Sequence, residues 1–335
     1  MLARFSLALL AIAYSAGGMS GKLPGPLVHS ADAAGISAAA ALLRAGQPVA
    51  VPTETVYGLA ARADSAPAVA AIYAAKGRPS FNPLIVHVPG VAQGELIAQF
   101  DDRAHALATA FWPGALTMVL PLRPEARIAP AVTAGLPTIA LRCPAHPVMR
   151  AVLAETGLAL AAPSANRSGG VSPTSAAHVA ASLAGRIELV LDGGRCEAGL
   201  ESTIVALREG GSWQLLRPGP ITLAQITDVL GCDPDVMAAG RIEAPGQLAS
   251  HYSPGKPVRL DAECAEADEF LIGFGATAGH TSLSPAGDLA EAAARLYACL
   301  HAAESAPQAK VAVAVIPAEG LGAAINDRLR RAAAD

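Results

Sequence analysis

Charge is scarce in this chain. Asp, Glu, Lys and Arg supply 16% of its 335 residues, aromatics supply 4%, and the formal net charge is −4. An acidic balance argues against holding nucleic acid through bulk charge, although a local basic groove stays open to it. Few aromatics leave no stripe on which single-stranded bases could stack. Cysteine is equally thin. Cys143, Cys196, Cys232, Cys264 and Cys299 stand more than thirty residues apart, without a C-x-x-C or a His/Cys cluster. Neither a structural zinc nor a disulfide framework is indicated, and scattered thiols fit a reducing, cytoplasmic compartment. Walker A, G-x-S-x-G and H-E-x-x-H patterns are missing, so no activated nucleophile and no protein-held metal are expected. Only the first eighteen residues, MLARFSLALLAIAYSAGG, form a long apolar run, and it is short for a transmembrane helix. The run reads as a secretory signal or as a mis-assigned start with translation from Met19. The cytosolic chemistry argued below favours the second, and no membrane association is expected.

Apolar and turn-forming residues are abundant instead: 52% hydrophobic, with 32 Gly and 26 Pro. That composition describes a turn-rich globular chain, and the length suits two domains. Short apolar runs at 48–52, 83–88, 116–122, 138–143, 158–163, 188–194, 202–207 and 213–219 predict strands. Between them, 66–76, 101–111, 146–157 and 174–185 predict helices, with Asp101, Thr174 and Gly185 as caps. Strands apolar nearly throughout imply cover on both faces, hence an α/β fold around a largely buried, twisted sheet. At 238–256, AAGRIEAPGQLASHYSPGK reads as a linker, since Pro, Gly and polar residues interrupt the pattern. Beyond it, 257–335 predicts a small Rossmann-like αβ unit. Its GFGATAG is a weak dinucleotide signal, because no clear helix follows.

Several strand ends carry polar groups. In VPTETVYGLAA (51–61), Thr53, Glu54 and Thr55 follow a strand, either as an ordinary capped turn or as a ligand-binding edge. In KGRPSFNPLIVHV, Lys76 and Arg78 follow a helix end, with Asn82 and His87 close behind. Cations at a helix C-terminus are commonplace, but Arg suits bidentate phosphate recognition and Lys a point anion. Arg142 interrupts an apolar strand and demands a partner, either a structural carboxylate or a substrate's. APSANRSGGVSPTS brings Ser164, Asn166 and Arg167 off a buried strand, and GLESTIV and LRPG add Ser202 and Arg217 at further strand borders. Such groups could converge on one anion-rich cleft, where catalysis would be positioning and charge stabilisation.

In order along the chain, PTETVYGL, KGRPSFNPL, FWPGALT, LPTIALRCPAHP, APSANRSGGVSPT, ESTIV and LRPG resemble the YrdC-like family. The tail from APGQLASHYSP onward resembles the long, two-domain threonylcarbamoyl-AMP synthases. The resemblance implies a YrdC-like mixed sheet curved around a basic hollow in residues 19–237, a linker or lid at 238–256 and a C-terminal domain at 257–335. It implies a nucleotidyltransferase reaction: L-threonine, bicarbonate or CO2, and ATP give threonylcarbamoyl-AMP and pyrophosphate. Downstream transfer proteins would carry the group to the adenosine beside a tRNA anticodon. By motif, Arg78, Asn82, Thr138, Ser164, Asn166, Ser172 and Arg217 correspond to nucleotide contacts, with Tyr252 joining them from the lid. Thr55, His87, Arg142, the backbone at Ala162, and Ser202 correspond to threonine contacts. Lys76 with Arg78, Ser164 and Asn166 matches a basic-polar tetrad, in which Lys76 and Arg78 would stabilise charge on the carbamate and phosphates. Magnesium would arrive with ATP. Two rivals stay open: a non-catalytic module binding double-stranded RNA or tRNA in the same hollow, and a carbamoyl-transferring enzyme with another acceptor.

Overall fold

The computed structural model describes residues 25–79, 81–235, 243–247 and 250–334. The signal-like stretch 1–18 and parts of the 238–256 segment lie outside these residues. Ten strands form one mixed sheet: β1 (Leu27–Ser30), β2 (Val49–Val51), β3 (Gly58–Arg62), β4 (Ile85–His87), β5 (Leu116–Pro121), β6 (Thr138–Arg142), β7 (Leu160–Ala161), β8 (Leu189–Asp192), β9 (Thr203–Leu207) and β10 (Trp213–Arg217). Their order is β1-β8-β2-β3-β7-β4-β6-β5-β9-β10, so strands remote in sequence become neighbours.

The two halves of this sheet are covered differently. Around β2 and β8, helices Ala33–Arg44 and Pro147–Thr156 pack Leu43, Met149, Val152 and Leu153 onto Val49, Val51, Leu189 and Leu191. Around β4, β6, β5 and β9, alternate residues part company, as the two-residue period of a strand requires. Val86, Leu141, Met118 and Val205 join the main core. Their neighbours Ile85, Ala140, Val119, Ile204 and Ala206 form a second apolar strip with Leu216, roofed by Ala244 of the linker. Among the described residues no helix covers that face, and a hollow lies above it.

Local chemistry sets the element ends. Asp101 caps its helix as expected, accepting from the Ala104 N–H at 2.9 Å. The expected cap at Thr174 belongs one residue on: Ser175 Oγ receives the His178 N–H, and Gly185 lies two residues beyond the C-cap Leu183. β1 and the helix Ala33–Arg44 lie outside the predicted elements, although the run at 36–43 is rich in the helix formers Ala and Leu. β3 also lies outside the predicted strands, just after the polar turn expected at Thr53–Thr55.

A second sheet holds β11 (Val258–Arg259), β12 (Glu269–Gly273), β13 (Thr281–Ser282) and β14 (Lys310–Val313), all parallel, in the order β11-β14-β12-β13. Helices Leu289–Ser305 and Leu321–Ala332 pack on it, giving the expected αβ unit. GFGATAG closes on itself, with Phe274 and Thr277 exchanging backbone hydrogen bonds, and the next helix starts only at Leu289. The weak dinucleotide signal is thus a tight turn. Val56, Val171 and Leu200 of the first unit share one apolar cluster with Leu296, Leu300 and Ile325 of the second. Among the described residues no helix is long and apolar enough to cross a membrane.

Candidate active site

A row of polar side chains crosses the uncovered half of the sheet. His87 of β4 pairs with Arg142 of β6, and Arg142 pairs with Thr117 of β5. Thr117 Oγ1 lies 2.7 Å from Ser202 Oγ at the start of β9. A bulge between Leu215 and Arg217 shifts the β10 register, which puts Arg217 at the hollow beside Leu216. Arg217 Nη2 then donates to Ser202 Oγ at 3.1 Å and its Nε to the Ser202 carbonyl at 3.0 Å. These groups form one rung, His87, Arg142 and Thr117 by strand register and Ser202 and Arg217 by the hydrogen bonds that extend it.

The β2–β3 turn supplies the next wall. Thr53 Oγ1 accepts from the Thr55 and Val56 N–H groups and holds Thr55 Oγ1 at 2.8 Å. Thr55 Oγ1 in turn accepts from Arg142 Nη1 at 2.9 Å. Another Arg142 nitrogen sits 2.6 Å from Glu54 Oε1 but off the line of a hydrogen bond, so the contact is chiefly ionic. Burial pushes the Glu54 carboxyl up, but the adjacent Arg142 charge outweighs it and holds the group at about 2. Both readings of Arg142 therefore meet here: it has a structural carboxylate and still faces the cavity.

The third wall follows the helix Ala66–Lys76, which ends because Gly77 turns left-handed at φ 60°. That turn aims Arg78 inward, where Nη2 donates to the Pro83 carbonyl at 3.1 Å and Nε more loosely to that of Asn82. Burial lowers the Arg78 guanidinium to about 10, which leaves it charged at neutral pH. Lys76 does not line the cavity. Its Nζ donates to the carbonyls of Ser164 and Asn166, pinning the 164–166 loop from behind, and burial followed by the Arg78 charge holds its pKa well below that of a free lysine.

These walls enclose a narrow hollow of about 50 Å³. Of the sequence candidates, Thr55, Arg78, His87, Arg142, Ala162, Ser164, Ser202, Arg217 and Tyr252 line it. Asn82, Thr138, Asn166 and Ser172 stand behind or beside it. Asn82 Oδ1 is buried without a partner, and Asn166 donates its amide to the Arg167 and Gly170 carbonyls. Ser172 donates to Glu201. Thr138 lies on the strand face of Ala140 and Arg142, further along the sheet.

Reasoning from sequence missed Thr117, Glu201, Gly246 and His251. Thr117 and Glu201 lie inside quoted motifs or predicted strands, and the signal for each was a polar residue in an apolar context. Gly246 has φ +84°, and a Cβ there would come within 2.9 Å of Arg217 Cδ and 3.2 Å of Tyr252 Oη. The linker can lie on Arg217 only with glycine at that point. Arg217 also donates to the Pro245 carbonyl, and Tyr252 itself holds a left-handed φ of 66°.

Two buried histidines register acid. Burial, followed by nearby cations, holds the His87 ring down at about 3; burial does the same to His251. Between those values and the free value near 6.5 the unfolded chain binds protons that the folded chain refuses, so stability is complete above pH 6.5 and declines below it. The slope is about 1.4 kcal/mol per pH unit for each histidine. His105, raised by Glu95 at the surface, opposes this, whereas His178, lowered chiefly by burial, adds to it. Unfolding midpoints should therefore fall steadily from pH 7 to pH 5, and a flat profile would contradict neutral, buried rings.

Known proteins resemble this chain in sequence and in fold. Residues 41–219 match the Sua5/YciO/YrdC family model, described as telomere recombination. Residues 221–334 match the model described as threonylcarbamoyl-AMP synthase, C-terminal domain. The chain is 42% identical over 322 residues to a Bacillus subtilis protein named threonylcarbamoyl-AMP synthase, covering 89% of this chain and 92% of that one. A Pyrococcus abyssi protein of the same name is 44% identical over 232 residues, covering 67% and 66%. The crystal structure of P. abyssi Sua5 complexed with L-threonine superposes with a TM-score of 0.83 at 34% identity, over 93% of this chain and 97% of that one.

Proposed function

The chain belongs to the Sua5/YciO/YrdC family and carries a threonylcarbamoyl-AMP synthase C-terminal domain, and from that premise we propose how its cavity divides the work. The reaction is synthesis of L-threonylcarbamoyladenylate, an ATP-using nucleotidyl transfer that serves threonylcarbamoyladenosine formation in tRNA. Threonine occupies the rung built by His87, Arg142, Thr55 and Ser202. ATP lies toward Arg78, Ser164 and Arg217, with Thr138, Asn82, Asn166 and Ser172 shaping its surroundings and Tyr252 closing over it. Bicarbonate enters between the two, and magnesium travels with the ATP phosphates. Both cavity-side carboxylates are already engaged by guanidinium groups, Glu54 by Arg142 and Glu201 by Arg328. Among the described residues no cluster of three His, Cys, Asp or Glu could hold a metal.

The observation that carries this reading is the rung itself. Arg142 can pair a carboxylate, while His87 Nδ1, buried and without a partner, can accept from an amine. Ser202 and Thr55 supply hydroxyl partners. In the reaction the threonine amine forms an N–C bond to CO2 with loss of a proton. A carbamate oxygen then attacks the α-phosphorus, and the bond to the leaving pyrophosphate breaks. The protein's share is to fix that alignment and to neutralise charge with Arg78 and Arg217, while Lys76 holds the loop bearing Ser164. The linker excludes water, in which both the carbamate and the mixed anhydride are lost. Arg78, Arg142 and Arg217 are 9%, 3% and 3% exposed, which suits small anions better than the backbone of a duplex RNA.

The purified chain should release pyrophosphate from ATP only when threonine and bicarbonate are both supplied. Serine keeps the hydroxyl and loses a methyl group, so it should react about tenfold less efficiently or worse. Pyrophosphate release that ignores the amino acid would sink the assignment.

A further inference from the structure

The reaction leaves unused a buried polar cluster behind the cavity wall. Glu201 lines the hollow, yet both its oxygens are committed elsewhere. Oε1 accepts from Ser172 Oγ at 2.6 Å. Oε2 accepts from Tyr297 Oη at 2.7 Å and from Arg328 Nε at 2.9 Å. Tyr297 belongs to the helix Leu289–Ser305 and Arg328 to the helix Leu321–Ala332, so both come from the C-terminal unit, and both are fully buried. The Arg328 guanidinium carbon also lies 5.6 Å from the centre of the Tyr252 ring, which is itself 5.6 Å from the Tyr297 ring. Burial pushes the Glu201 carboxyl up, but Arg328 and then Arg217 outweigh it and hold it at about 2, so it stays ionised.

Stability alone is a poor reason for this arrangement. A buried ion pair usually contributes no more than well-packed apolar residues of the same volume, because both charges lose their water. What the cluster provides beyond cohesion is geometry. Glu201 adjoins Ser202, Ser172 stands behind the wall as its hydrogen-bond donor, and Tyr252 is the linker residue against Arg217 and Gly246. We propose that Arg328 and Tyr297 are positioning residues: by fixing Glu201 they set Ser172, and by packing on Tyr252 they seat the linker, so the C-terminal unit completes the nucleotide half of the cavity. This rests on the reading of the cavity as a threonine-and-ATP site. The threonine half is held independently, since Ser202 is anchored by Thr117 and Arg217.

The test compares the full-length chain with its Tyr297→Phe and Arg328→Lys variants. Calorimetric titration gives dissociation constants for ATP and for threonine, and thermal unfolding runs alongside. Tyr297→Phe keeps the Arg328–Glu201 pair and should fold. Its ATP constant should rise about tenfold, the scale of a hydrogen bond to a charged group, with threonine binding changed less than about twofold. Arg328→Lys should weaken ATP binding further, because one ammonium cannot both reach Glu201 and cover the Tyr252 ring as a planar guanidinium does. If unfolding midpoints fall while both binding constants stay put, the cluster is interdomain cement and the proposal is overturned. A parallel loss of both affinities overturns it too. Failure of the wild-type chain to release threonine-dependent pyrophosphate would remove the assigned reaction, yet this comparison of affinities would still decide the role of Arg328 and Tyr297.

Discussion

Arg142→Met is expected to abolish threonine use and to destabilise the fold in one step. Two effects combine. The variant removes the guanidinium that faces a substrate carboxylate, which should weaken threonine binding by about a hundredfold or more, as two charge-assisted hydrogen bonds would. It also strands Glu54, whose buried carboxylate is kept ionised by Arg142. Breaking a buried pair on one side typically costs about 3–5 kcal/mol. The double variant Glu54→Gln with Arg142→Met separates these effects, because replacing both partners relieves the stranded charge. Unfolding should then return near the wild-type midpoint, while threonine titration stays flat. Recovery of threonine binding in the double variant would mean that Arg142 serves only as the partner of Glu54.

Arg78→Ala should do the reverse: large loss of ATP binding with little loss of stability. Among the described residues Arg78 has no carboxylate partner. Its nitrogens meet the carbonyls of Asn82 and Pro83, and the Asn82 carbonyl keeps a second donor in Tyr73 Oη at 3.0 Å. Burial chiefly lowers both Lys76 and Arg78, the Arg78 charge adding to the first and Arg217 to the second, so removing Arg78 takes away a buried charge and some repulsion. ATP affinity should fall by about a hundredfold, as expected for lost charge-assisted bonds to phosphate, with the unfolding midpoint unchanged or higher. A lowered midpoint with normal ATP binding would make Arg78 a structural residue. The contrast with Arg142 is a direct reading of which cation has a buried anion beside it.

These two arginines also mark how far the sequence could be read. Arg142 stood out because a charge interrupts an apolar strand, and that anomaly holds in three dimensions. Its partner did not stand out: Glu54 precedes it by 88 positions and looked like part of a turn. Lys76 and Arg78 appeared as one cationic turn, two residues apart, yet Gly77 sends them different ways. One pins a loop from behind and the other faces the hollow. Tyr252 was legible from HYSP, whereas Gly246 acquires its meaning only from the Arg217 side chain lying against it.

By itself the sequence determined the α/β class, the positions of most strands and the residue types at their ends, because side-chain periodicity and turn chemistry are local. Only the tertiary structure decided that His87, Arg142, Thr117 and Ser202 share a rung, and that Arg328 reaches Glu201 from the far end of the chain. Strand order, register and the β10 bulge are set by packing between segments dozens of residues apart, and no local pattern records that packing.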